Sequence, residues 1–218
     1  LKEKMKDKHV LIIGAGSSIK NHKKRISQLI EDQKLVTFGV NYMTSLCSPE
    51  YHLWTNKQRY RDLGSCIDKN SKFLFGCGLS KKLIRKHYAG EYETIEYTSD
   101  LKEESKAIDY RCEDDKYYGY FRTAGVLAIM IAHHIGAKKI SIVGMDGYTL
   151  YSRKQLLKGK KSHHCYGKGY TDDASWEKCK KKDAEIYSTL RDLYASGIDF
   201  EMITPTKFKD FYNPSVLK

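Results

Sequence analysis

The residues best suited to chemistry open the chain. An apolar run over residues 10–13 breaks into Gly14-Ala15-Gly16-Ser17-Ser18 and then into a helix start. Glycine reaches backbone angles closed to other residues and lets the main chain approach a ligand. Serine is a good N-cap, so the spacing predicts a phosphate cradle at Gly14, Gly16, Ser17 and Ser18. Free backbone N–H groups and the positive end of a helix dipole would face an anion there. The plain alternative is ordinary strand-to-helix geometry, which α/β proteins use widely. A dinucleotide fold would want a third glycine where Ile19 stands and an acidic residue ending the second strand, where Asn41 stands. The turn therefore suits a nucleotide, and NAD is a poor match.

Further residues carry chemistry, each with a plainer reading beside it. His163-His164 offers a base at neutral pH, a metal pair or two loop residues; adjacent histidines rarely bind one metal together, so no metal is expected. Arg122 could meet a phosphate or sugar carboxylate with two parallel hydrogen bonds, or form a surface salt bridge. Asp146 could bind ligand hydroxyls or a metal, or cap the turn after a strand. His133-His134 read as a packed face and a C-terminal helix charge, and Asp172-Asp173 as the N-terminal charges of a helix. Tyr110, Tyr117, Tyr118 and Tyr120 could line a sugar site or only anchor their segment to the core.

Strands alternating with helices must position these groups. Periodicity predicts strands at 35–40, 51–55, 72–75, 93–97, 139–143 and 199–203, and helices at 21–32, 56–69, 123–135 and 175–196, with a short basic helix after Ser80. Residues 99–118 read as irregular or as an insertion. This order implies an α/β, Rossmann-like, doubly wound and mostly parallel sheet with helices on both faces. Ligands then sit beyond the carboxyl ends of the strands, where Gly14 to Ser18, Asn41, Asn56 and the turn from Asp146 to Tyr148 converge. The polar stretch 149–174, rich in Lys, Gly and His, reads as a mobile lid.

Composition narrows the partners. At 218 residues the whole chain, 1–218, suits one compact domain. Because it begins with Leu1, excision from a longer protein stays open. A formal charge of +12 favours an anionic partner and leaves open peripheral contact with membrane headgroups, although spread-out lysines give the same total. No zinc-ligand spacing or RNA-binding aromatic signature accompanies the charge, so nucleic acid is not expected. The cysteines Cys47, Cys66, Cys77, Cys112, Cys165 and Cys179 lie far apart without a C-x-x-C pair, which points to reduced thiols and a cytoplasmic setting.

The set Gly14-Ala-Gly-Ser-Ser, Asn41, Asn56, Arg122-Thr-Ala-Gly125 and Gly144-Met-Asp-Gly-Tyr148 resembles the bacterial lipooligosaccharide sialyltransferases. Their wider superfamily includes flagellin-glycosylation accessory factors and archaeal hydroxymethylpterin diphosphokinases. The resemblance runs over most of residues 10–203 and rests on the order and spacing of short motifs. It implies that Gly14, Gly16, Ser17, Asn41 and Asn56 surround CMP and that Arg122, Thr123 and Gly125 border the donor. It also implies that Tyr148 steadies the departing phosphate and that a lid residue is the catalytic base. The family's base is a histidine; here Lys168 falls at that point, with His163 and His164 a few residues earlier.

The leading expectation is a glycosyltransferase that moves an acidic sugar from its CMP ester to a glycan acceptor during surface polysaccharide synthesis. Such a transfer needs negative charge steadied on one phosphate and an acceptor hydroxyl deprotonated, without metal or other cofactor. A closed lid would exclude water. The rivals are a magnesium-dependent diphosphokinase, for which Asp146 is the one obvious ligand, and a nucleotide- or glycan-binding module fused to a separate catalytic domain. The oligomeric state, including a homo-oligomer, stays open.

Overall fold

The computed structural model describes residues 5–43, 46–99, 108–167 and 175–217. Strands β1 (His9–Ile13), β2 (Val36–Val40), β3 (Tyr51–Trp54), β4 (Lys72–Gly76) and β5 (Tyr92–Ser99) lie side by side in parallel. On the other side of β1 stand β8 (Lys139–Val143) and β9 (Glu201–Met202), also parallel. With β6 (Arg111–Glu113) and β7 (Lys116–Gly119) beyond β5, the nine-stranded sheet has the order β6-β7-β5-β4-β3-β2-β1-β8-β9, so the order reverses at β1. The fold is a Rossmann-like α/β fold, and the gap between the ends of β1 and β8 is its switch point.

Side-chain alternation builds both faces. Val10 and Ile12 of β1 join one buried cluster, while Leu11 and Ile13 join another. The first cluster is covered by α4 (Ala124–His134), buried continuously from Val126 to Ala132, and by α6 (Trp176–Ala195). The second is covered by α1 (Ile19–Gln33) through Ile19, Ile26 and Leu29. A third, aromatic cluster of Trp54, Tyr60, Phe73 and Phe75 lies under α2 (Lys57–Leu63) and α3 (Lys81–Arg85). Each fully buried Leu, Ile or Phe contributes roughly 1.5–3 kcal/mol against its exposed state, which holds the strand ends in register.

Some expectations need correction. The helix expected over 56–69 ends at Leu63, whose φ of −122° and ψ of 0° leave the helical region, and gives way to a 3-10 turn, Gly64–Cys66, where Gly64 packs so closely that a Cβ would stand 2.6 Å from the His87 ring. The segment read as irregular contains a hairpin, β6 (Arg111–Glu113) paired antiparallel with β7 (Lys116–Gly119). Its turn residues Asp114 and Asp115 both have positive φ (49° and 61°), a tight-hairpin geometry usually signalled by glycine. Part of the expected lid is also regular: α5 (Arg153–Leu157) carries a capping box between Ser152 and Gln155. The end of that segment, residues 168–174 with Lys168 and Asp172-Asp173, lies outside the described residues. No helix among the described residues is long and apolar enough to cross a membrane.

Candidate functional site

The strand ends do converge. A cleft beyond β1, β2 and β8 is lined by Gly14, Gly16, Asn41, Thr123, Gly125, Asp146, Tyr148, His163 and His164, residues drawn from all parts of the chain. It is narrow, about 120 Å³. Four of its walls are helix or strand termini, where backbone groups would otherwise need solvent or ligand.

The glycine turn, however, is not an open cradle. Gly14 N–H donates to the Val143 carbonyl (2.8 Å) and Gly16 N–H to the Gly144 carbonyl (2.8 Å). Ser17 N–H donates to the His163 carbonyl (3.3 Å), and the Ala15 carbonyl accepts from Cys165 N–H (2.8 Å). Ser18 N–H and its hydroxyl both donate to the buried Asp146 carboxylate, at 2.7 and 2.5 Å. Asp146 thus supplies the negative charge that the start of α1 favours, and Ser18, expected as an N-cap, makes no side-chain cap. Burial pushes the Asp146 carboxyl up to about 6, and the bonds from Ser18 pull against that rise.

The glycines serve close packing rather than unusual angles. Neither Gly14 nor Gly16 lies in the left-handed region; Gly144 and Gly147 do, at φ 69° and 80°. A Cβ on Gly14 would stand 2.5 Å from the Gly144 oxygen, and one on Gly16 would stand 2.3 Å from Asp146 Oδ1. The partner that approaches this turn is the β8 loop of the same chain.

The asparagines are similarly engaged. Asn41 has φ 50°, and its Oδ1 accepts from Thr55 N–H (3.0 Å) and Asn56 N–H (3.1 Å). Asn56 caps α2, accepting from Arg59 N–H at 2.9 Å. Both oxygens therefore hold the β2–β3 edge of the cleft in place. Asn41 lines the cleft, and Asn56 lines a recess beside it.

That recess, about 240 Å³, is lined by Asn56, Arg59, Arg122, Thr123, Tyr148 and Lys182. It shares Arg59, Thr123, Tyr148 and Ile186 with the cleft, so the spaces adjoin. Arg122 Nε lies 2.6 Å from Glu185, as the salt-bridge reading expected. The Lys182 ammonium sits over the Tyr148 ring, 5.1 Å from its centroid. Arg59 is the residue that the motifs did not single out. Its Nη2 donates to His164 Nε2 at 3.3 Å, while its Nε is buried without a hydrogen-bond partner. The only signal in the sequence was its place in the first turn after Asn56, three residues beyond the cap.

Tyr148 is held from behind. Asp183, also missed, accepts from Tyr148 N–H (2.7 Å), Thr149 N–H (2.7 Å) and the Thr149 hydroxyl (2.6 Å). Burial raises the Tyr148 phenol, while the nearby charges of Arg59 and Arg122 draw it down. A neutral phenol O–H flanked by cations can donate to an anionic oxygen.

The histidines divide. His164 is stacked on Tyr166 (centroids 4.9 Å apart, planes at 3°) and accepts from Arg59. Burial, Arg59 and His163 together push its pKa down to about 3, so it is a neutral, weak base in this setting. This opposes its expected catalytic role. His163 lies edge-on to Tyr148, 5.8 Å between ring centroids, and lines the cleft. His133 and His134 are exposed at the end of α4, away from the cleft. Tyr117 is buried in the core, and Tyr110 packs edge-on against Phe121, which matches the anchoring reading of that segment. Among the described residues no group of three or more His, Cys, Asp or Glu is placed to hold a metal. Compared with known proteins, the chain matches no family model and no curated protein.

Proposed function

We propose that this chain binds a cytidine nucleotide and transfers an acidic sugar from its CMP ester to a glycan hydroxyl, as a cytoplasmic enzyme of surface polysaccharide synthesis. One observation carries the reading: the Arg59 guanidinium, its Nε buried without a partner, stands where the cleft meets the recess of Arg122, Lys182 and Tyr148. A buried N–H of a cation is costly unless an acceptor arrives, and a phosphate or carboxylate oxygen is the strongest such acceptor. The leaving phosphate belongs beside Arg59 and Tyr148, with the nucleoside toward Asn41 and Thr123 in the cleft.

In this reading preorganised donors at Arg59 and Tyr148 steady the charge that develops on the departing phosphate, and no metal takes part. The base is His163 rather than His164, because His164 is held neutral at a pKa of about 3 beneath Arg59. Neither space alone reaches the roughly 300 Å³ usual for a ligand pocket. The two adjoin, so the ligand spans both, beside the segment from Ser162 to Cys165, whose main chain pairs with Ala15 and Ser17.

That self-pairing favours a second reading, a nucleotide-sensing or glycan-binding module without chemistry of its own. Calorimetry with CMP, with ATP plus magnesium and with NAD, followed by chromatography of a CMP-sugar incubated with the protein, separates the readings. CMP binding with release of CMP from the sugar donor supports the transferase. CMP binding without donor turnover at any pH supports a nucleotide-sensing module, and absence of CMP binding overturns both the transferase and that form of the module. Binding of ATP with magnesium alone would favour a diphosphokinase.

A further inference from the structure

His163 lines a second space besides the cleft, a recess of about 950 Å³ whose wall includes Lys20, Tyr151, Arg153, Lys160, Lys161 and Trp176. Three helices and one loop build it. Lys20 stands in the first turn of α1, Arg153 opens α5 with Lys160 and Lys161 in the loop after it, and Trp176 opens α6. Unlike the cleft or the recess of Arg59, this space by itself falls within the roughly 300–1,000 Å³ of an ordinary ligand pocket.

The charge of this recess has one sign. Among the described residues four cations line it and no Asp or Glu does. Lys20, Arg153 and Lys160 are exposed and Lys161 is half-buried, and none of the four pairs with a carboxylate among the described residues. A concave wall carrying charge of one sign concentrates ions of the other. The remaining wall suits a sugar ring. Tyr151 and Trp176 are half-buried aromatics that supply apolar surface, and Asn21 and Ser162 supply polar groups for hydroxyls. Charge and ring also meet directly, because the Lys161 ammonium lies over the Tyr151 ring, 5.1 Å from its centroid.

We propose that this recess binds an anionic sugar, one that carries a phosphate or a carboxylate, with the anion among the four cations and the ring against the aromatic wall. Charge attraction selects such a sugar over a neutral one. On the transferase reading, on which this further step rests, the bound sugar is the glycan acceptor. His163 borders both spaces, which is the place a base between donor and acceptor must hold. In that transfer the acceptor hydroxyl oxygen bonds to the anomeric carbon of the donor and its proton passes to His163. The anomeric C–O bond to CMP breaks, and its electron pair leaves with the phosphate.

Calorimetry on the full chain tests the site with galactose 6-phosphate, glucuronic acid, galactose and inorganic phosphate as probes. At least one anionic sugar should bind about tenfold more tightly than galactose and than inorganic phosphate, and its binding should weaken as salt is raised. Which of the two binds names the anion as phosphate or carboxylate. Lys160→Gln combined with Lys161→Gln should weaken that sugar about tenfold and leave CMP affinity unchanged, and Arg153→Gln, at an exposed position, should weaken it about threefold alone. Equal affinity for charged and neutral sugar, no binding of either anionic sugar, or full affinity in these variants overturns the proposal. Inorganic phosphate bound as tightly as the sugar phosphate overturns it too. Anionic-sugar binding without any CMP binding supports the recess and overturns the transferase reading alone, so the two failures are told apart.

Discussion

The glycine turn and the Arg59 recess stand side by side and divide the work that the motifs had assigned to the turn alone. At the turn, amides of Gly14, Gly16, Ser17 and Ser18 are all taken by protein oxygens, and Asp146 already supplies the anion. At the recess, a buried guanidinium N–H is left over. The difference teaches that a glycine-rich turn reports close approach without reporting what approaches. Here the approaching group is the β8 loop, and the unpartnered N–H beside which we propose an external anion lies at the start of α2.

The sharpest way to break this contrast is to titrate Asp146. Its carboxyl stands at about 6 in the fold, above the ordinary carboxylate value, so the folded protein holds this proton more tightly than the unfolded chain does. The resulting stabilisation is fully present below about pH 4 and is lost as pH rises through about 6. Relative to Asp146→Asn, the wild type should lose about 3 kcal/mol between roughly pH 4 and pH 7 in urea unfolding. A flat difference would mean that the turn does not enclose its own carboxylate.

Next in size is Gly14→Ala, whose methyl would press on the Gly144 carbonyl. The ligand-free protein should lose about 2 kcal/mol in the same assay. Unchanged stability with weakened nucleotide binding would return the turn to the role of a cradle. Arg59→Gln tests the other half of the contrast. CMP affinity by calorimetry should fall about thirtyfold while the melting temperature stays near that of the wild type. Equal affinity would move the anion away from Arg59. The smallest effect belongs to Tyr148→Phe, which removes the donor proposed for the departing phosphate and should slow donor turnover about fivefold with an intact fold.

Much of the architecture was legible. Apolar runs of five residues read as buried parallel strands, and the expected β8 coincides with Lys139–Val143. The capping residues Asn56, Ser80, Thr123 and Ser175 all accept from the third following N–H, as their side chains favour. The hairpin at 111–119 was not legible, because Asp114-Asp115 adopts positive φ without the glycine that normally marks such a turn. The candidate site was legible only as a place. Gly14, Asn41, Thr123, Asp146 and Tyr148 do share one cleft, but the roles of Ser18, Asn41 and His164 were masked by partners more than a hundred residues away or across the sheet.

From the order of residues alone came the alternation of strands and helices, the parallel sheet and the gathering of polar strand ends at one edge. These follow from periodicity and capping, which are local and so can be read along the chain. Tertiary structure alone decided which donors and acceptors are spent on the protein itself and which remain for a ligand. Hydrogen-bond satisfaction depends on what the fold brings within 3 Å, and neighbours in sequence do not reveal it.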